Sequence, residues 1–190
     1  MSTRTPALFL DRDGVMIENR ANYVRSWEDV EIYPQALQAL AAIHQTPFKI
    51  IVVTNQSAVG RGLISLATAE DINEQLLAII RAAGGRIDDV FMCPHAPAAD
   101  CDCRKPRPGL LRQAAARHRL DLPRSILIGD ALTDLAAGQN AGLADTILLL
   151  TGRGQAQAAR PEARDHQPFT QFPDLAAALA ARRARLLPNR

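Results

Sequence analysis

The chain has 190 residues, 47% of them apolar and 22% charged, and 22 basic against 20 acidic side chains leave a formal net charge of +2. These proportions exclude wholesale disorder and a collagen-like repeat, and the length can bury a sizeable core. So even a charge balance does not suggest nucleic-acid binding.

The length suits one domain over residues 1–190, with a C-terminal loop and helix at 151–190. No stretch approaches the ~20 apolar residues of a membrane span, so no membrane partner is expected. The apolar run Ala7–Leu10 is too short for a signal-peptide core. All three cysteines fall between positions 93 and 103, and an odd number cannot pair off internally. A reducing, cytoplasmic setting is expected, with metal rather than disulfide.

Ala7–Leu10 reads as the first strand, covered on both faces because it lacks alternation. Asp11, Asp13 and Gly14 follow it directly. A helix over 35–44 comes after Pro34, a residue suited to a first helical position. A second strand at 48–53 leads into Thr54-Asn55-Gln56-Ser57 and then Gly60-Arg61-Gly62. A helix from about 66 to 83 carries Ile72, Leu76, Ile79 and Ile80 at helical spacing. A third strand at 90–92 precedes Cys93-Pro94-His95 and Cys101-Asp102-Cys103-Arg104-Lys105-Pro106. Gly109–His118 reads as a helix, 125–128 as a fourth strand ending at Asp130, 133–140 as a short helix and 146–150 as a fifth strand. Residues 151–173 read as a loop, and 174–187 as a closing helix with an acidic cap. Such alternation implies a Rossmann-like α/β fold, a parallel sheet flanked by helices with right-handed crossovers.

In an open sheet of this kind, ligands bind beyond the carboxyl ends of the strands. Asp11 and Asp13 stand at the first such end, where a carboxylate can attack phosphorus or hold magnesium, an ion that prefers oxygen ligands. Thr54 and the residues after it offer a hydroxyl and backbone N–H groups to phosphate oxygens. Lys105 is one of only two lysines beside 20 arginines, a compact charge able to bind a transferring phosphoryl group. Arg104 can grip a second anionic group in bidentate fashion. Asp130 supplies a third carboxylate, and Asp134 reads as a helix-start residue or a partner of the metal ligands. An ordinary polar turn explains each group alone. Together they would gather on one edge of one sheet.

Cys93, His95, Cys101 and Cys103 form a C-x-H-x5-C-x-C pattern suited to a tetrahedral, structural zinc that leaves no open position. The metal would pin a loop that ends at Arg104 and Lys105. Elsewhere the readings are plain. Trp27 and Tyr33 pack a loop on the core, His44, His118 and His166 lack partners, and Arg182, Arg183 and Arg185 form a solvated helix face.

Over residues 7–150, these elements in this order resemble the haloacid dehalogenase superfamily of phosphatases. The resemblance implies a minimal cap built from loops, Asp11 as nucleophile and Asp13 as general acid/base. Thr54 and Lys105 would steady the phosphoryl group. Catalytic Mg2+ would rest on Asp11, the backbone carbonyl of Asp13, and Asp130, beside structural Zn2+. Val15 stands where the family often has Thr, and Ala131 where it often has Lys. Asn19, Arg20, Asn22 and Tyr23 match the family's substrate loop, here one residue longer, and Asn55, Gln56, Ser57 and Arg104 join them as substrate-binding groups. The implied reaction removes the 7-phosphate of a heptose bisphosphate, a small sugar-phosphate partner, through an aspartyl-phosphate on a monomeric enzyme. Histidinol phosphate is the alternative substrate. A zinc-bearing binding module without catalysis is the alternative of another class.

Overall fold

A computed structural model describes residues 4–187. Six strands, β1 (Ala7–Leu10), β2 (Lys49–Asn55), β3 (Asp89–Cys93), β4 (Ile126–Gly129), β5 (Asp145–Leu149) and β6 (Thr170–Phe172), form one sheet in the order β3-β2-β1-β4-β5-β6. Every pairing is parallel. Parallel neighbours need long crossovers, and these run through α1 (Pro34–Ala42), α2 (Ser57–Gly60), α3 (Leu66–Ala82), α4 (Gly109–His118), α5 (Leu132–Asn140) and α6 (Gly154–Ala158). The chain closes with α7 (Leu175–Ala181) and α8 (Arg183–Leu186). The strand order reverses between β1 and β4, which opens a crevice at their carboxyl ends.

Both faces of the sheet are covered, so the strands read as unbroken apolar runs. Leu8, Leu10, Ile50, Val52, Ile126 and Ile128 pack on one side with Leu40 of α1, Ile72 of α3 and Leu179 of α7. Ala7, Phe9, Ile51, Val53 and Leu127 pack on the other with Leu110, Leu111 and Ala114 of α4. All four residues of β1 are inaccessible to solvent, so the chain leaves the middle of the core directly at Asp11. Trp27 and Tyr33 pack against the first cluster, as the sequence implies.

The five expected strands and the expected helices form, with boundaries moved by a residue or two. Four readings change. Residues 151–173 are not a bare loop, because they hold α6, a 3-10 helix at Pro161–His166 and β6. The closing helix is split at Arg182. Its guanidinium turns back onto Asp145 at 2.8 Å and stacks over Phe172, so this residue does not belong to a solvated face. His44, His118 and His166 do not lack partners either: His118 Nε2 lies 2.7 Å from Asp89 Oδ2, His44 Nδ1 2.7 Å from the Ala41 carbonyl and His166 Nδ1 3.3 Å from Gln139 Oε1. Among the described residues, no helix is long and apolar enough to cross a membrane.

The carboxyl edge is crossed by the segment between β1 and α1. It is braced by a bridge between Ile17 and Ile32, a 3-10 turn at Trp27–Asp29, and the Tyr33 hydroxyl, which donates to Glu18 at 2.9 Å.

Candidate active site

The ends of β1 and β4 bring Asp11 and Asp130 together although they are far apart in sequence. One carboxylate oxygen from each of Asp11, Asp130 and Asp134 lies within 4.8 Å of the other two, and all three residues are buried. Asp11 Oδ1 accepts the backbone N–H of Arg12 at 2.7 Å. The buried Lys105 ammonium faces Asp11 Oδ2 at 3.0 Å and Asp134 Oδ1 at 2.6 Å, and donates to the Val53 carbonyl at 2.8 Å. Burial alone would lower the Lys105 pKa, but the two carboxylates outweigh it and raise the group above its ordinary value. Burial pushes Asp134 up to about 7, with Lys105 opposing and the neighbouring carboxylates reinforcing the shift. Burial also raises Asp130, helped by Asp11 and opposed by Arg153.

Two glycines make room for this centre. Gly14 and Gly152 both have positive φ, +79° and +54°, and a side chain on either would collide with the Asp130 carboxylate. The loop after β5 closes over the same residue. Thr151 Oγ1 donates to the Gly14 carbonyl at 2.6 Å, the Arg153 N–H donates to Asp130 Oδ2 at 2.8 Å, and the Arg153 guanidinium meets Oδ1 at 3.2 Å. Asn19 donates to Asp130 Oδ2 at 3.2 Å.

Asp13 does not point into the acidic centre. Its carboxylate is held by Arg12, through Nε to Oδ2 and Nη2 to Oδ1, each at 3.1 Å, and by the Gln56 amide at 2.8 Å. Gln56 also donates to Thr54 Oγ1. A cavity of about 620 Å³ is lined by Asp11, Asp13, Asn19, Arg20, Tyr23, Asn55, Gln56, Ser57, Arg61, Arg104, Lys105 and Arg153, among others. Thr54 is buried behind Gln56 and does not line it. Asn22 is exposed outside it. Arg20 is tied to the Asp29 carbonyl and Glu31. Asn55 exchanges hydrogen bonds with the backbone of Lys105, each at 3.1 Å, and so fixes the lysine's loop.

Four polar atoms converge beside this loop. The sulfurs of Cys93, Cys101 and Cys103 and the Nδ1 of His95 make contacts of 3.2–3.6 Å. A tetrahedral zinc with ~2.3 Å bonds to sulfur sets ligand edges near ~3.7 Å, so the donor set fits that ion. Burial pushes the Cys93 and Cys103 thiols up, with the Cys101 sulfur adding to both shifts, while at Cys101 burial is outweighed by hydrogen bonds with the other two sulfurs, which bring the thiol down to about 7. The cluster passes directly into Arg104, whose guanidinium donates to Ser57 Oγ at 2.7 Å and to the His95 carbonyl at 3.3 Å. The acidic centre fits magnesium on similar grounds. It offers only hard oxygen donors, and burial, reinforced by the neighbouring carboxylates, raises Asp130 and Asp134.

The motifs did not single out Arg12, Asn73 or Arg153. An arginine between two carboxylates at a strand end was the available signal for the first, and Gly-Arg-Gly after the fifth strand for the last. Nothing local marked Asn73, which accepts from Arg12 across 61 positions.

The chain matches the "HAD-hyrolase-like" family model over residues 102–178. It is 39% identical over 158 residues to a D-glycero-beta-D-manno-heptose-1,7-bisphosphate 7-phosphatase from Bordetella bronchiseptica, covering 82% of this chain and 88% of that one. It is 39% identical over 150 residues to the protein of the same name from Helicobacter pylori, covering 78% and 86%. The crystal structure of D,D-heptose 1,7-bisphosphate phosphatase from B. bronchiseptica, complexed with magnesium and phosphate, superposes with a TM-score of 0.86 at 34% identity, covering 95% of this chain and 99% of that one. Identity of 39% over 82% of this chain settles the relationship. The chain belongs to the haloacid dehalogenase-like phosphatases, in the family of the D-glycero-D-manno-heptose-1,7-bisphosphate 7-phosphatases.

Proposed function

We propose that this protein hydrolyses the 7-phosphate of D-glycero-D-manno-heptose 1,7-bisphosphate. The observation that carries the reading is the meeting of Asp11, Asp130 and Lys105 in one buried centre at the floor of a cavity rimmed by Arg61, Arg104 and Arg153. A bisphosphate brings a second anionic group, and a cationic rim suits it better than it suits the ammonium of histidinol phosphate.

Asp11 attacks phosphorus in line, and Lys105 offsets the repulsion between its carboxylate and the incoming anion. Asp11, Asp130 and the Asp13 carbonyl would hold magnesium, which would supply further neutralisation of the phosphoryl oxygens. The ester P–O bond breaks, and its electron pair leaves with the sugar oxygen, which takes a proton from Asp13 in its protonated form. Asp13 then accepts a proton from the water that attacks the aspartyl-phosphate, and the Asp11 carboxylate is regenerated. Asn19, Arg20 and Tyr23, with Asn55, Gln56, Ser57 and Arg104, form the substrate side of the reading; Asn22 lies outside the cavity, and Thr54 bears on the phosphoryl group only through Gln56, whose amide it accepts. Cys93, His95, Cys101 and Cys103 would hold a structural zinc, which would set the loop bearing Arg104 and Lys105. The reading is of a single-domain monomer at work in the cytoplasm.

The test is phosphate release from heptose 1,7-bisphosphate and from histidinol phosphate with magnesium, on the native chain and on Asp11→Asn. The expected result is a preference for the bisphosphate, a product that keeps its 1-phosphate, and no turnover by the variant. A preference for histidinol phosphate overturns the substrate, and equal activity in both proteins overturns the mechanism.

A further inference from the structure

Arg12 is 1% exposed and among the largest fully buried side chains in the molecule, yet it stands between the two aspartates of the reaction. A buried guanidinium is costly unless it is paired and hydrogen-bonded. Among the described residues, its one ion-pair partner is Asp13, at 3.0 Å. The pairing is a fork, with Nε on one carboxylate oxygen and Nη2 on the other. Its remaining terminal nitrogen, Nη1, donates to Asn73 Oδ1 at 2.9 Å. Asn73 sits on the buried side of α3 beside Ile72 and Leu76, so the far end of the fork is anchored in the core. On the cavity side, Gln56 closes on Asp13 Oδ2.

We propose that Arg12 is a positioning residue for Asp13, and that Asn73 holds Arg12 to that task. The inference rests on the phosphatase reading above, and goes beyond it by saying what keeps the general acid/base in place. Asp13 has to meet the leaving oxygen in one step and a water in the next. An aspartate on a cavity wall can rotate about two torsions. The fork fixes the plane of the carboxylate, and α3 fixes the fork. The consequence is chemical and not only structural. Loss of Arg12 damages the protonation of a poor leaving group, and spares an ester whose leaving group departs as a stable anion.

The test uses kcat/KM, which covers only the steps through loss of the leaving group. Arg12→Met is expected to lower kcat/KM on heptose 1,7-bisphosphate by ~10²-fold, as a misplacement of about 1 Å does. On p-nitrophenyl phosphate, whose leaving group needs no proton, the loss is expected to be no more than several-fold. Arg12→Lys, which keeps a donor but not the fork, is expected to recover part of the bisphosphate activity. Arg12→Met placed on Asp13→Asn is expected to add almost nothing to the loss from Asp13→Asn alone. Equal losses on both esters, or fully multiplying losses in the double variant, would overturn the proposal and leave Arg12 a packing residue. Should Arg12→Met not fold, Asn73→Ala carries the same test by removing only the outer anchor. It is expected to give a smaller loss with the same bias against the sugar ester, and an unbiased loss overturns the proposal. A native protein inactive on the bisphosphate would instead overturn the underlying reading.

Discussion

Lys105 and Asp11 meet as a 3.0 Å ion pair with both side chains closed off from solvent. The same ammonium also touches Asp134. A charge held this way needs no reorganisation when phosphate arrives, which is the condition under which electrostatic stabilisation is strongest. Lys105→Met is expected to lower kcat by ~10²–10³-fold. It also leaves two buried carboxylates without their counter-ion, a loss bounded by the ~3–5 kcal/mol of a broken buried pair and lessened when Asp134 takes up a proton. Phosphate release and thermal unfolding read the two effects separately. Retained kcat with a lowered unfolding temperature would make Lys105 a structural residue only.

The acidic centre predicts an unusual pH response. Asp134 is raised to about 7 in the folded chain, against an ordinary value near 3.8. Between these limits the folded state binds the extra proton more tightly than the unfolded state, so this group stabilises the fold at low pH. Its contribution is lost as pH rises through that window. Asp130 shifts in the same direction. Magnesium binds the ionised carboxylates, so it is expected to raise the unfolding temperature more at pH 8 than at pH 5. Melting curves with magnesium and with chelator at both pH values check this, and a magnesium effect that does not grow with pH contradicts it.

Much of this molecule is legible in the sequence because both faces of its sheet are covered. Ala7–Leu10 reads as a strand from its unbroken apolar run, and Asp11 and Asp130 are conspicuous where such runs stop. β6 is not legible, because a half-exposed three-residue strand carries no apolar run of its own and is held by pairing with β5. The break at Arg182 is equally hidden. There the Arg182 guanidinium pairs with Asp145, 37 positions earlier. Arg12 lies in plain view inside the first motif, but its partner Asn73 belongs to a different helix. Spacing shows where carboxylates collect. It does not show which long-range donor holds one of them.

The loop that carries the three cysteines and His95 is expected to couple metal to catalysis. Cys93 lies at the end of β3 and Cys103 directly precedes Arg104, which reaches back to the His95 carbonyl. Cys101→Ser removes one of four donors, so zinc content is expected to fall together with unfolding temperature and kcat/KM. Metal analysis, a melting curve and the phosphate assay on one preparation check the three together. Full kcat/KM in a zinc-free but folded variant would separate the loop from the chemistry.

The C-terminal helices are expected to matter for stability and not for turnover. Asp174 caps α7 by accepting the Ala177 N–H at 2.8 Å, and Leu175, Ala178, Leu179 and Leu186 are buried in the same core cluster as β1. The Leu186 carbonyl accepts from Thr46 just before β2, which ties the end of the chain to its first half. Leu179→Ala leaves a cavity in that cluster and is expected to cost ~2–5 kcal/mol. For a chain of this length, that corresponds to a fall of ~5–15 °C in unfolding temperature. Since α7 contributes nothing to the cavity that contains Asp11 and Lys105, kcat/KM measured well below the transition is expected to match the native value. A variant with native stability would show that α7 does not form part of the core, and a folded variant with depressed kcat/KM would show that the helix acts on the site.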